Sequence, residues 1–114
     1  MNTQSIRNPN WIGSVDEDRA IELAEMFRLM GDPSRLRIIL VCLRQSITVS
    51  DIAAELDLSQ SLVSHHLRLL RAARILRGHR RGKHMYYSAA DEHISCVVAD
   101  MLEHIAEPLG HEDL

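Results

Sequence analysis

The chain has 114 residues and 13.0 kDa, of which 46% are apolar and 25% charged, the balance of one globular domain with a modest core rather than of a disordered or fibrous protein. No run of about 18 apolar residues occurs, which excludes a membrane-spanning helix, and the N-terminus MNTQSIRNPNWIGSVDED has no basic segment leading into an apolar one, so nothing marks it for secretion. The formal net charge of −3 conceals an asymmetry: residues 58–90 hold six arginines and Lys83 with no acid, whereas residues 91–114 hold seven acids with no lysine or arginine.

The two cysteines, Cys42 and Cys96, lie 54 positions apart within apolar helical patterns. That spacing is neither a disulfide framework nor a CxxC metal knuckle, and it leads us to expect inert buried thiols in a reducing cytoplasm.

Residues 1–16 show no periodicity and are expected to be a flexible extension, with Trp11 and Ile12 available for packing. Ser14 and Glu17 fit a capping box, in which each side chain satisfies a free backbone N–H at a helix start. The helix that follows should run to about Met30, with Ile21, Ala24, Phe27 and Met30 on its apolar face. Gly31 stops it. Asp32 and Pro33 then read as N-cap and first-turn proline of a second helix, to about Arg44, with a stripe of Leu36, Ile39, Leu40 and Leu43.

An extended piece over residues 46–49 leads to a brief helix from Asp51 to Leu56 capped by Ser50, with Ile52, Ala53 and Leu56 apolar. Asp57 and Leu58 make a tight turn, and Ser59 caps a helix to about Ala73. Two short helices about such a turn are the layout of a helix-turn-helix. In the second of them Leu62, Val63, Leu67 and Leu70 should face inward. The segments around residues 75–80 and 83–88, joined by Arg81-Gly82, read as two short strands about a glycine turn. A last helix should span Asp91 to Ala106, ending before Pro108, whose ring cannot continue it. The expected architecture is mainly α with a small β-hairpin: a winged helix-turn-helix of about five helices and a two-stranded wing over residues 17–107, followed by an acidic tail over 108–114.

The outer face of the second helix of that pair combines Ser59, Gln60, Ser61, Ser64, His65, Arg68 and Arg71. Short hydroxyls, one amide, one imidazole and arginine can bond base edges and phosphates without crowding a major groove. The hairpin adds Arg80, Arg81 and Lys83 near its tip. A charge run alone is commonly a solvated helix face, but an acid-free +7 stretch confined to these two elements indicates a footprint for double-stranded DNA. His66 should pack inward, while His79 and His84 should be solvated.

These residues carry a resemblance. Gly31-Asp32-Pro33-Ser34-Arg35-Leu36-Arg37, Ser50-Asp51-Ile52-Ala53, the run from Leu58 to Leu67, and Gly82-Lys83-His84-Met85-Tyr86-Tyr87 are similar to the ArsR/SmtB family of metal-sensing repressors over about residues 17–107. The resemblance implies a dimeric winged helix that binds an operator as apoprotein and releases it when an inducer binds. It also implies an outer hydrogen bond linking a metal-bound histidine, here His104, to the reading helix near His65.

The inducer must be read from the site residues. On the last helix, His93 and His104 are 11 positions apart, so they point within about 20° of each other, and Glu107 lies about 40° to the other side. Asp91 at the helix start can turn toward that face. The same step rises about 16.5 Å, far beyond the roughly 2 Å reach of one metal ion. One chain therefore offers half a site. Two copies of the helix packed antiparallel across a two-fold axis bring Asp91 and His93 of one chain to His104 and Glu107 of the other, twice per homodimer. Two imidazoles and two carboxylates suit tetrahedral Zn(II), with Co(II) a mimic.

The spacing also matches the C-terminal-helix zinc site of the resembled family, and Ile94, Val97, Val98, Met101, Leu102 and Ile105 form an apolar dimer face beside it. The stretch Ile47-Thr48-Val49-Ser50-Asp51 lacks the cysteines used by the family's arsenic, cadmium and lead sensors. His111 could add a ligand and favour Ni(II) or Co(II), and a thiol oxidant is the other alternative inducer. A small zinc hydrolase built on His104 and Glu107 lacks a third ligand in the same chain and a nucleophile–base pair. No membrane, no small organic substrate and no catalysis are expected.

Overall fold

The computed structural model describes residues 13–109. The expectations for Trp11, Ile12 and His111 lie outside the described residues. In chain order the elements are α1 (Glu17–Met30), α2 (Pro33–Arg44), β1 (Ile47–Thr48), α3 (Val49–Leu56), α4 (Gln60–Ala72), β2 (Leu76–Arg81), β3 (His84–Ala89) and α5 (Glu92–Ala106). This is the winged helix-turn-helix layout, α3 and α4 being the helix pair and β2–β3 the wing.

Short polar side chains set the helix starts, because an oxygen at the N-cap accepts one of the backbone N–H groups that the first turn leaves free. Asp32 accepts from Arg35 N at 3.0 Å ahead of Pro33, and Ser59 accepts from Leu62 N at 3.1 Å. Two caps differ from the sequence reading. Asp16, not Ser14, caps α1 through Arg19 N at 2.8 Å. Thr48, not Ser50, caps α3 through Asp51 N at 3.3 Å, so α3 begins at Val49. In both cases neighbouring polar residues compete, and the one with extended backbone beside the first turn wins. The turn between α3 and α4 is made possible by Asp57 at φ 56°, a left-handed conformation that a short polar side chain tolerates.

The sheet has the order β1-β3-β2, all antiparallel. It is therefore three-stranded rather than the expected two-stranded wing. Ile47 pairs with Tyr87 and Thr48 with Tyr86, a contact across some 40 residues that local patterning cannot show. The β2–β3 turn falls at Gly82-Lys83, one position later than expected, where Gly82 adopts φ +64° that its lack of a Cβ permits.

The core gathers Ile38, Ile39, Ile52, Val63, Leu67, Leu70, Ile75 and Leu76, each essentially inaccessible. Helix α4 contributes its Val63–His66–Leu67–Leu70 face, so His66 packs inward as expected, but Leu62 is 39% exposed. The apolar face read on α1 is also corrected: Leu29 is buried, whereas Ile21 and Phe27 are exposed and remain unmatched within one chain. On α2 the buried positions are Ile38, Ile39, Val41 and Cys42, with Leu36, Leu40 and Leu43 half-buried.

Truncating a fully buried aliphatic leaves a cavity. Ile39→Ala should cost about 2–5 kcal/mol in chemical unfolding, whereas Leu62→Ala should cost less than about 1 kcal/mol; equal losses would contradict the inward and outward assignment of these two positions.

Candidate nucleic-acid interface and metal half-site

Helix α4 and the wing present one cationic, hydroxyl-bearing surface. Ser59, Gln60, Ser61, His65 and Arg68 are exposed and Ser64 is half-buried. The Ser59 hydroxyl accepts the cap bond from Leu62 N, which leaves its O–H free to donate to a phosphate. At the wing, Arg80, Arg81 and Lys83 are exposed, and the Arg81 guanidinium lies 4.9 Å from the centroid of the Tyr86 ring. His79 stacks on the same ring at 6.0 Å and is half-buried, so it is not the solvated residue expected, whereas His84 is exposed. The Tyr86 platform thus restrains the side chains that lead to the wing tip.

A second feature was missed by sequence reading. Between the α3 N-terminus and the wing lies a groove of about 330 Å³ lined by Thr48, Ser50, Gln60, Lys83 and His84. Ser50 was legible only as a cap. Its place beside Lys83 depends on the β1–β3 pairing, and no local signal marks that.

Beneath the reading face, His66 is 7% exposed and its Nδ1 has no hydrogen-bond partner. Burial holds its imidazole below the ordinary value, assisted by the Arg35 guanidinium and opposed by the Asp32 carboxylate. Asp32 is itself held low, first by the backbone N–H of Arg35. The Arg35 side chain donates Nε–H to the Leu29 carbonyl at 2.9 Å, which ties the end of α1 to the start of α2.

On α5, Asp91 accepts the Ile94 N–H through Oδ1 at 3.2 Å. One carboxylate oxygen is thereby occupied by the cap and the other is left for a cation. His93, His104 and Glu107 are exposed. Among the described residues no three His, Cys, Asp or Glu side chains converge on one point; the four donors are spread over about 24 Å of one helix. The donor types, two imidazoles and two carboxylates, fit a divalent ion.

Of the expected apolar dimer face, Ile94 and Val98 are instead buried in the single chain, and only Val97, Met101, Leu102 and Ile105 are left exposed, Ile105 to 74%. With Phe27, Met30, Leu36 and Leu40 from α1 and α2 they line an apolar groove of about 250 Å³. Exposed apolar area of this kind marks a protein–protein contact.

The cysteines differ from each other. Cys42 is buried, which pushes its thiol up to about 12. Cys96 is exposed on α5, contrary to the expected burial. No described helix is long and apolar enough to cross a membrane.

A helix pair with a solvent-facing polar second helix, flanked by a cationic hairpin, defines the winged helix-turn-helix class of DNA-binding regulators. The chain belongs to the arsR family of bacterial regulatory proteins, whose family profile matches residues 32–77. It is 41% identical over 90 residues to the "Transcriptional repressor SmtB homolog" of Synechocystis sp., covering 79% of this chain and 68% of that one. It is 34% identical over 83 residues to the "HTH-type transcriptional repressor SmtB" of Mycobacterium tuberculosis, covering 73% of this chain and 62% of that one. The fold is similar, with a TM-score of 0.74 at 22% identity, to a homodimeric winged helix-turn-helix DNA-binding domain from Mycobacterium bovis, over 85% of this chain and 92% of that one.

Two measurements follow. In the native protein one thiol, Cys96, should react readily with a disulfide reagent, and Cys42 should react only on unfolding, since the thiolate is the nucleophile; two fast thiols would contradict the burial of Cys42. Second, burial makes His66 bind a proton less readily in the fold than in the unfolded chain, where an imidazole protonates below about pH 6.5, so the unfolded state binds more protons and stability falls as pH drops through that value. Urea midpoints between about pH 7 and pH 5 should fall more steeply for the wild type than for His66→Gln; parallel profiles would remove the role given to burial.

Proposed function

We propose that the protein is a homodimeric, metal-responsive transcriptional repressor, with Zn(II) as inducer. The observation that carries this reading is the layout of α5: Asp91 and His93 at one end, His104 and Glu107 at the other, on a stripe that adjoins the bare apolar face. Antiparallel packing of two α5 helices covers that face. The same packing brings each pair of donors to the complementary pair of the other copy, giving two equivalent sites.

When bound, zinc supplies a four-coordinate cross-link between the two helices. The chain's own residues do the rest. Ser59, Gln60, Ser61, Ser64, His65 and Arg68 face the major groove, while Arg80, Arg81 and Lys83 hold flanking phosphates. Ser50 joins Lys83 at the groove beside α3 as a further phosphate contact. The Asp91 carboxylate fixes the start of α5 through the cap, so a ligand on its second oxygen is held at a defined place. Two reading helices bind a palindromic operator only when their separation fits one helical turn of DNA, about 34–36 Å. A cross-linked α5 pair that changes this separation weakens operator binding, and DNA must weaken zinc binding by the same factor. Genes for metal efflux or sequestration are the expected targets, and the setting is the cytoplasm.

Ni(II) or Co(II) differs from this reading in coordination number, with His111 as the additional donor.

The test is a Co(II) titration of the reduced apoprotein, followed by displacement with Zn(II), alongside operator binding to a palindromic duplex obtained by in vitro selection. An intense tetrahedral band at one ion per chain, without a thiolate charge-transfer band, is expected. His104→Ala should keep the apoprotein's DNA affinity while losing both the band and the zinc response. A weak six-coordinate spectrum would move the inducer to nickel or cobalt, and tight zinc binding with unchanged operator affinity would remove the sensing role.

A further inference from the structure

The acid-free stretch over residues 58–90 carries seven cations. Three of them, Arg71, Arg74 and Arg77, line a cleft of about 560 Å³ between the end of α4, the start of β2 and the first turn of α5. The sequence alone assigns Arg71 to the outer face of α4; the structure sets it at this cleft. All three side chains are exposed. The volume falls within the roughly 300–1,000 Å³ typical of small-molecule sites.

The guanidinium groups at its rim are incompletely matched. Arg74 pairs with Glu22 at 3.1 Å, and Arg77 Nε donates to Ser88 Oγ at 3.4 Å. Among the described residues no carboxylate lies within ion-pair distance of Arg71 or Arg77. The one carboxylate in the wall, Asp91, is engaged in capping α5. Three guanidinium groups around one cleft repel each other unless an anion joins them, and the guanidinium fork binds carboxylate or phosphate through paired, charge-assisted hydrogen bonds.

The floor of the cleft is apolar. Met26, Ala73 and Ala90 are half-buried there and pack against the core that contains Leu76 and Ile94. A small inorganic anion would engage the rim and leave this floor bare, and a neutral apolar molecule would leave the arginines unpaired. A molecule that carries both parts satisfies rim and floor together. Every wall belongs to one chain, so the site needs neither a second copy nor a metal ion.

We propose that this cleft binds an amphipathic organic anion, its carboxylate or phosphate head held by Arg71 and Arg77 and its short apolar body laid on Met26, Ala73 and Ala90. The occupant touches the last turn of the reading helix and the first turn of α5 within the same chain. The site is a second ligand position, separate from the metal half-site and from the DNA-facing surface.

The test is amide NMR of the full metal-free chain titrated with octanoate and with octyl phosphate, the tighter of the two identifying the head. Shifts should saturate and cluster at residues 73–78 and 90–94, which line the cleft. A fully buried methylene strengthens binding about fourfold, so octanoate should bind at least about fourfold more tightly than hexanoate, which has two fewer. Acetate, inorganic phosphate and neutral octanol should each bind at least about tenfold more weakly than octanoate. Arg71→Gln and Arg77→Gln, with circular dichroism unchanged, should each weaken binding at least about threefold, whereas Arg44→Gln, which removes the same charge elsewhere, should leave it unchanged. Shifts that gather instead at Phe27, Leu36 and Met101 would overturn the site, as would octanol that binds as tightly as octanoate, Arg71 and Arg77 variants that bind like the wild type, or no saturation below about 10 mM. None of these outcomes alters the cobalt band or the zinc response, so the metal reading stands or falls separately.

Discussion

The seating of α4 in the core is the constraint on which the rest of the molecule depends. Val63, His66, Leu67 and Leu70 fill its inner side with almost no exposed area, and helix periodicity then dictates which residues face out. The polar outer face is therefore held as firmly as the core itself, since close-packed interiors resist rotation of a helix by even a fraction of a turn. The lone irregularity in that inner face is His66, a polar residue with an orphaned ring nitrogen beside the Asp32 cap. Leaving such an atom without a partner costs on the order of 1–3 kcal/mol, so the site sacrifices stability directly beneath the reading surface.

A second organising feature is the division of labour along α5. Its apolar residues share a groove with Phe27, which α1 leaves exposed, and with half-buried Met30, Leu36 and Leu40. The same helix carries the donors and the acids on the adjacent stripe. In the proposed dimer, adhesive and ligand-binding faces would lie side by side on one rigid rod, which would make metal geometry and subunit geometry a single variable, the requirement for linkage between two ligands.

Much of this was legible in the sequence because it is local. Pro33 after Asp32, Ser59 ahead of an apolar stripe, Pro108 after the last helix and Gly82 between alternating strands each act within a turn or two, and each element appears within a few residues of its expected place. The 3.6-residue period sets His93, His104 and Glu107 on one side of α5. What escaped depends on contacts distant in sequence. The pairing of Ile47 with Tyr87 makes the third strand, and it moves the α3 cap to Thr48. The outward turn of Leu62, Ile21 and Phe27 follows from a core that one chain completes without them. Cys96 is exposed for another reason: the helical period sets it between Glu103 and Glu107 on the acidic side of α5, away from its buried apolar neighbours Ile94 and Val98.

The short strand β1 reaches further than its two residues suggest. It leads straight into α3 through the Thr48 cap and is hydrogen-bonded to β3, the inner strand of the wing. The wing is thus riveted to the start of the helix pair, and head and hairpin behave as one solid body. In the proposed dimer, a signal at α5 would therefore act by re-aiming two intact blocks, in the way that the jaws of callipers are set by their joint.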